Sequence, residues 1–348
     1  MPRWTSGSLP EVAIRRILFA LLGLVLVAGV AYTGYVGYEG SRQLVEGGGS
    51  NPDCRTPDEL FGWTYEAINY EIADDALLAS RNPDQKHCTY TGTIAGNEVV
   101  TDDGIRIAGW YIPAADGAGP TAPTVVLVHG FGGNKTSVLE YGEGLHDTFN
   151  LVAFDMRNTQ RSSGEQTTGG VLEQKDLRAI IDWLERTKQP SHIGVLGNSL
   201  GAGTAVAESR DDPRVDALAL DSMHTRFRYQ VEQRLQHAGH PAYPGTWAVF
   251  LGVRIRTGVD LGSVDAQDAI PDLARLPVLV SHGTGDTEDL PGRTQAFYQD
   301  AVAAGVEIEL HWCEGAGHNA TAGMPVWVCR DAFAAWMLDF FSRTLTGA

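Results

Sequence analysis

Three side chains of this 348-residue chain are of the types, and stand in the order, that nucleophilic catalysis requires. Ser199 sits in Gly197-Asn198-Ser199-Leu200-Gly201, after the apolar run Ile193–Leu196 and before the small residues Ala202, Gly203, Thr204 and Ala205. That is the G-x-S-x-G pattern of a strand-to-helix turn so tight that residues two positions either side of the serine must lack side chains. A serine hydroxyl is a poor nucleophile at neutral pH and needs an adjacent base, which a carboxylate in turn orients. His318, in Glu314-Gly315-Ala316-Gly317-His318-Asn319, and Asp286, in Ser281-His282-Gly283-Thr284-Gly285-Asp286, supply those two types. An oxyanion formed at the attacked carbonyl needs backbone donors. Leu200 N–H, next after the serine, and Phe131 N–H, in the glycine-rich run His129-Gly130-Phe131-Gly132-Gly133-Asn134-Lys135, are the candidates.

Each assignment has competitors. Glu288 and Asp289 read as solvated loop charges beside Asp286, and His282 and His311 fall within strand-like runs, where a histidine is more often structural. His129 reads as a support for the oxyanion loop, Asp155 and Arg157 as a polar tie between loops, and Lys135 as a solvated loop lysine.

Alternation of elements must bring these residues together. Buried-strand candidates are Thr124–Val128, Leu151–Asp155, Ile193–Leu196, Ala217–Asp221, Val278–His282 and Val306–Trp312. Helical patterns cover Leu172–Thr187, Leu200–Ser209, Thr294–Ala304 and Val328–Leu345. Apolar strands separated by helices specify an α/β fold, a mostly parallel sheet with helices on both faces and its active groups at the C-terminal strand ends. The connection Met223–Leu273 is too long for a plain crossover and reads as a helical cap inserted at about 223–273. Glu98–Pro113 reads as a β-hairpin turning at Asp102-Asp103-Gly104.

Ahead of this lies Ile17–Val36, about twenty residues without a charge, long enough to span a bilayer as a helix. Arg3, Arg15 and Arg16 precede it and Glu39 and Glu46 follow, so residues 1–16 are expected in the cytoplasm and everything after Tyr38 outside. The apolar run continues past Gly29-Val30-Ala31, a possible signal-peptide cleavage site, which favours an uncleaved single-pass anchor over residues 17–38. Either reading exports the remainder: a linker over 39–60, containing Gly47, Gly48, Gly49 and Pro52, and a catalytic domain over 61–348. In an oxidising compartment four cysteines read as two disulfides with three possible pairings. Proximity selects Cys54–Cys88 and Cys313–Cys329, the second bracketing His318.

The net charge of −17 argues against nucleic acid, whose phosphates nothing here would neutralise. No His and Cys spacing suggests zinc, and the serine chemistry requires neither metal nor cofactor. The sequons Asn134-Lys135-Thr136 and Asn319-Ala320-Thr321 would put glycans beside the site and read as chance matches.

From about Asn97 to Phe341 the chain resembles the α/β-hydrolase superfamily, most closely bacterial Bem46-like and cephalosporin-C-deacetylase-like hydrolases. The resemblance rests on Thr101-Asp102-Asp103-Gly104, the His129–Lys135 run, the Gly197–Gly201 pattern, Gly258-Val259-Asp260-Leu261, His282-Gly283-Thr284-Gly285-Asp286 and Gly315-Ala316-Gly317-His318. Asn198 and Leu200 replace the aromatic residue and methionine frequent at those positions, which is expected to alter the pocket wall. The resemblance implies a serine hydrolase acting on small-molecule esters through an acyl-enzyme. The alternatives are a serine peptidase or amidase of the same fold, and a non-catalytic binding protein on a hydrolase scaffold.

Overall fold

The computed structural model describes residues 11–48, 53–68, 97–318 and 323–347. The elements are, in order, α1 (Glu11–Glu46), α2 (Pro57–Phe61), β1 (Glu66–Ile68), β2 (Gly109–Ile112), β3 (Thr124–Val128), β4 (Asn150–Phe154), α3 (Glu173–Thr187), β5 (Ile193–Asn198), α4 (Leu200–Ser209) and β6 (Val215–Asp221). There follow α5 (Phe227–His237), α6 (Ala242–Thr257), α7 (Ile270–Leu273), β7 (Val278–Gly283), α8 (Pro291–Ala303), β8 (Ile308–Cys313), α9 (Pro325–Val328) and α10 (Arg330–Phe341).

Eight strands form one sheet in the order β1-β2-β4-β3-β5-β6-β7-β8. The strands β3 to β8 pair in parallel, and β2 joins β4 antiparallel with β1 beyond it. Every residue of β3, β4 and β5 is buried, as a sheet covered on both faces demands. One face packs Leu177, Ile180, Ile181 and Leu184 of α3 and Ala202, Ala205 and Val206 of α4; the other packs Phe333, Met337, Phe340 and Phe341 of α10.

Three local readings change. The hairpin expected over Glu98–Pro113 is reduced to an isolated bridge, Val100 to Arg106, because β2 pairs with β4 and β1 instead. β1 forms at Glu66–Ile68, where the sequence assigns no strand. The third change is at the anchor. The apolar stretch continues without a break as helix to Glu46, so residues 39–46 are helix where a linker was expected.

The helix persists because its C-terminal half is docked. A Cβ on Gly37 would fall 2.8 Å from Ala248, one on Gly40 2.6 Å from Val249, and one on Gly252 2.6 Å from Ser41. Small residues on both sides let the backbones of α1 and α6 close together, the packing by which helices associate in membranes. Tyr32 Oη also meets His240 Nδ1 at 2.5 Å. Further towards its N-terminus the helix is bare: Leu24, Val27 and Val30 are each about two-thirds exposed or more. It is long and apolar enough to cross a membrane or to act as a signal sequence. Filling the contact with Gly252→Leu should separate the two helices, and tryptic cleavage after Arg42 should then speed up several-fold. An unchanged cleavage rate would show that the glycine contact does not hold α1.

Candidate active site

The turn after β5 is built by close approach. Ser199 has φ 50° and ψ −114°, a conformation that costs a non-glycine residue on the order of 1–3 kcal/mol. A Cβ on Gly197 would stand 2.4 Å from the Gly201 carbonyl oxygen, and one on Gly201 2.1 Å from the Val128 carbonyl oxygen. Both glycines are therefore required by proximity, since α4 starts directly against the end of β3. Ser199 N–H donates to the Asp221 carbonyl at 2.9 Å, tying the turn to β6 as well.

At the far end of the sheet, Gly285 N–H donates to the Ala316 carbonyl at 2.9 Å and Gly315 N–H to Thr284 Oγ1 at 2.8 Å, joining the loops after β7 and β8. Cys313 and Cys329 form a disulfide, with Cα atoms 5.9 Å apart, which closes the segment containing His318. The other expected bridge, Cys54–Cys88, involves Cys88, which lies outside the described residues.

Ser199 Oγ stands 2.9 Å from His318 Nε2, and His318 Nδ1 donates to Asp286 Oδ2 at 2.7 Å. A carboxylate can only accept, so the Nδ1 proton is assigned by Asp286, and neutral His318 presents its Nε2 lone pair to the serine hydroxyl. The other Asp286 oxygen accepts the N–H groups of Glu288 and Asp289 at 2.8 and 2.9 Å. Burial alone would lower the His318 pKa, but the Asp286 hydrogen bond and charge, with help from Asp289 and Glu288, raise it to about 9. Burial opposes the charged form of Asp286 too, and there the imidazole prevails, holding the carboxyl below its ordinary value. Phe131, in the loop after β3, and Leu200, at the start of α4 next to Ser199, line the same two small cavities, of about 10 and 20 Å³.

Several neighbours differ from their sequence reading. Asp289 is buried rather than solvated, with one oxygen 3.9 Å from His318 Nδ1, and burial pushes its pKa to about 7. Lys135 is buried as well, paired with Asp155 at 2.5 Å because the loop over residues 129–135 folds under the end of β4. Asp155 and Arg157 therefore tie loops together through different partners. Arg157 spans Asp176 at 2.7 Å and Asp103 at 2.8 Å. His129 Nε2 accepts the Met156 N–H at 3.1 Å, which leaves it a support of the loop. His282 is enclosed by the Asp289 carbonyl and Thr294, and His311 stacks on Trp336. Asn134 is buried and donates to the Asp53 carbonyl, leaving no room for a glycan.

Asp221 escaped the sequence reading. Its buried carboxylate accepts from Asn198 Nδ2 at 2.9 Å, Ser281 Oγ at 2.7 Å and Tyr141 Oη at 3.2 Å, clamping the strand ends under the serine. Burial raises its pKa to about 6 against those donors. Asn198 thus faces this clamp and not the pocket wall. A polar residue closing an otherwise apolar strand, the criterion that picked out β4 and β7, would have found Asp221 in Ala217-Leu218-Ala219-Leu220-Asp221.

A strained serine at the end of β5, a histidine from beyond β8 and a carboxylate from beyond β7 thus meet at one edge of an α/β-hydrolase sheet. The chain belongs to the α/β-hydrolase family. The family's own sequence model, described as the alpha/beta hydrolase fold, matches residues 123–253. The chain is 33% identical over 256 residues to Rv2307c of Mycobacterium tuberculosis, covering 70% of this chain and 80% of that protein. It is 28% identical over 295 residues to YfhR of Salmonella typhi, covering 80% and 91%. Among solved structures, the Pyrococcus furiosus esterase Pf2001 shares the fold with a TM-score of 0.62 at 20% identity, over 84% of this chain and 95% of that one. Est1E of Butyrivibrio proteoclasticus, solved with ferulic acid, matches with a TM-score of 0.54 at 16% identity, over 70% and 99%.

Two outcomes test the construction of the site. Gly201→Ala forces a Cβ into the Val128 carbonyl and should cost upwards of ~3 kcal/mol, seen as loss of soluble protein or a strongly lowered Tm. Removing the disulfide by Cys313→Ala with Cys329→Ala frees the His318 segment and should lower kcat more than it raises KM. Identical kcat in the double variant would separate the bridge from the histidine's placement.

Proposed function

We propose that this protein is a membrane-anchored serine hydrolase, with its catalytic domain on the extracytoplasmic side, that cleaves carboxylic esters through an acyl-enzyme. The observation carrying the reading is the 2.9 Å contact from Ser199 Oγ to His318 Nε2, backed at 2.7 Å by Asp286. In this mechanism Ser199 Oγ attacks the ester carbonyl while His318 Nε2 takes its proton. The N–H groups of Leu200 and Phe131 receive the oxyanion. His318 then protonates the departing alcohol, and a water activated by the same nitrogen releases the acid and restores Ser199. Asp286 keeps the imidazole in the required tautomer and stabilises the imidazolium.

The ester reading over the amide one draws support from the esterase Pf2001 among the similar solved structures, a fold that an acylaminoacyl peptidase shares. A panel of p-nitrophenyl esters against peptide amides separates the two. The orientation draws support from Arg15 and Arg16 ahead of the apolar stretch and Glu39 and Glu46 after it.

Ser199→Ala should abolish labelling by a fluorophosphonate probe and reduce kcat by ~10³-fold or more. Retained esterase activity in that variant would end the proposal. The pH profile carries a sign of its own. His318 acts as a base only when neutral, so kcat/KM should climb with pH towards about 9, above the ordinary histidine range. Asp286→Asn should shift that limb down towards 6.5 and lower kcat by ~10³–10⁴-fold. The raised histidine pKa also stabilises the fold most fully below pH 6.5, and that contribution fades as pH passes about 9. Alkaline pH thus favours the base while weakening the ion pair that seats it.

A further inference from the structure

The helix that would anchor the protein also walls the approach to its serine. A cavity of about 310 Å³ lies between α1 and α5, with Tyr35, Val36 and Leu44 on one side and Val231 and Leu235 on the other. At its inner end stands Phe131. Leu44, Phe131, Val231 and Arg234 also bound the next cavity inward, which reaches Leu200 beside Ser199. The two spaces adjoin at these four side chains, the inner one holding only about 20 Å³. The lining is mixed: apolar side chains alternate with Glu39, Gln43 and His240 in the outer cavity, Arg234 stands over the Phe131 ring where the two adjoin, and Thr167 and Gln230 line the inner one.

The height of the outer mouth is set by α1. Tyr35 and Val36 close the uncharged stretch Ile17–Val36, so a bilayer spanned by that stretch ends where the cavity opens. The hydrocarbon boundary is also the depth at which a lipid's ester carbonyls reside. α1 is held there rigidly, since its glycines are locked against α6 and the Val45 carbonyl accepts from Thr167 N–H at 2.8 Å and from Asn158 Nδ2 at 3.2 Å.

A second observation comes from α6. Trp247, Leu251 and Ile255 recur every four residues on one face of α6 and are 62, 40 and 75% exposed, and Tyr243, at the non-helical break near its start, is 85% exposed. Between this stripe and α1 runs a groove of about 980 Å³ in which Arg256 is the one charged residue among the described lining. The groove shares no lining residue with the path to Ser199, so it is no substrate chamber. It is instead a continuous apolar wall beside the bilayer-length stretch, with tryptophan and tyrosine at the positions such residues take at membrane interfaces.

We propose that the substrates are long-chain acyl esters resident in the membrane, which enter between α1 and α5 without passing through water while α6 lies against the lipid. The inference rests on the serine-hydrolase reading above. An acyl chain lying along the Val36, Leu44 and Val231 wall places its carbonyl at the Phe131 end of the path.

The test uses the full chain reconstituted in vesicles of ether-linked phosphatidylcholine, which hold no acyl ester of their own. A fluorogenic long-chain acyl ester is supplied in the vesicles and the acetate of the same fluorophore in water, with rates counted per Ser199 labelled by fluorophosphonate. The long-chain ester in vesicles should be the faster substrate. The ratio of the two rates should fall about tenfold or more both in Val231→Trp, which fills the path, and in Trp247→Glu with Ile255→Glu, which sets charges against lipid. Labelled protein that cleaves the acetate but prefers it to the vesicle ester, or variants with an unchanged ratio, would overturn the membrane-substrate inference alone. Absence of labelling together with no cleavage of either ester overturns the serine-hydrolase reading, and this inference with it.

Discussion

The site depends on a carbonyl that cannot be approached by a side chain. The Val128 oxygen at the end of β3 lies where any Cβ on Gly201 would have to be, and the Gly201 oxygen lies where any Cβ on Gly197 would be. That double contact sets the start of α4 hard against the sheet and forces Ser199 into its positive φ. The strain is offset by what surrounds it: Asn198 and Ser281 are held by the Asp221 carboxylate, and the Ser199 N–H is tied to β6. A lone strained residue would relax. This one is over-determined, and its hydroxyl is left aimed at His318.

The histidine is held by a different means. Ser199 sits on rigid sheet and helix, whereas His318 comes from an irregular segment after β8, and position there must be built from cross-links. The loops after β7 and β8 share backbone and threonine hydrogen bonds, the disulfide closes the segment to the start of α10, and Asp286 orients the ring. Asp286 spends one oxygen on its own loop and the other on the imidazole, so loop geometry and ring orientation are a single arrangement. The same crowding of carboxylates that seats the ring raises its pKa to about 9.

The N-terminal helix alters how the protein is divided. By composition it is a span followed by glycine-rich spacer, which would let the catalytic domain move freely above a membrane. Packed, its second half belongs to the hydrolase domain. It lies on α6 through glycines and approaches α5 across a cavity, and just past its end a Cβ on Gly47 would stand 3.1 Å from the Phe131 ring. Small residues that read as flexibility along the chain prove to be the places where two helices touch.

The sequence by itself determined the local grammar: the strand and helix alternation, the elbow, and the strand-end motifs from which Ser199, Asp286 and His318 were drawn. These are short-range patterns, since a buried parallel strand must be apolar throughout and a strand-to-helix turn of this tightness must be glycine-flanked. The glycine spacing was legible, while its cause, a carbonyl from β3 over seventy residues away, was not. Tertiary structure alone decided which charges lost their water. Lys135, Asp289 and Asp221 look like loop or strand-end polar residues in the sequence, and each is buried because a distant segment closes over it. It also decided that α1 continues to Glu46, because helix stability there comes from packing on α6 rather than from residues 39–46 themselves. Burial and docking are properties of pairs of segments, and a single segment does not carry them.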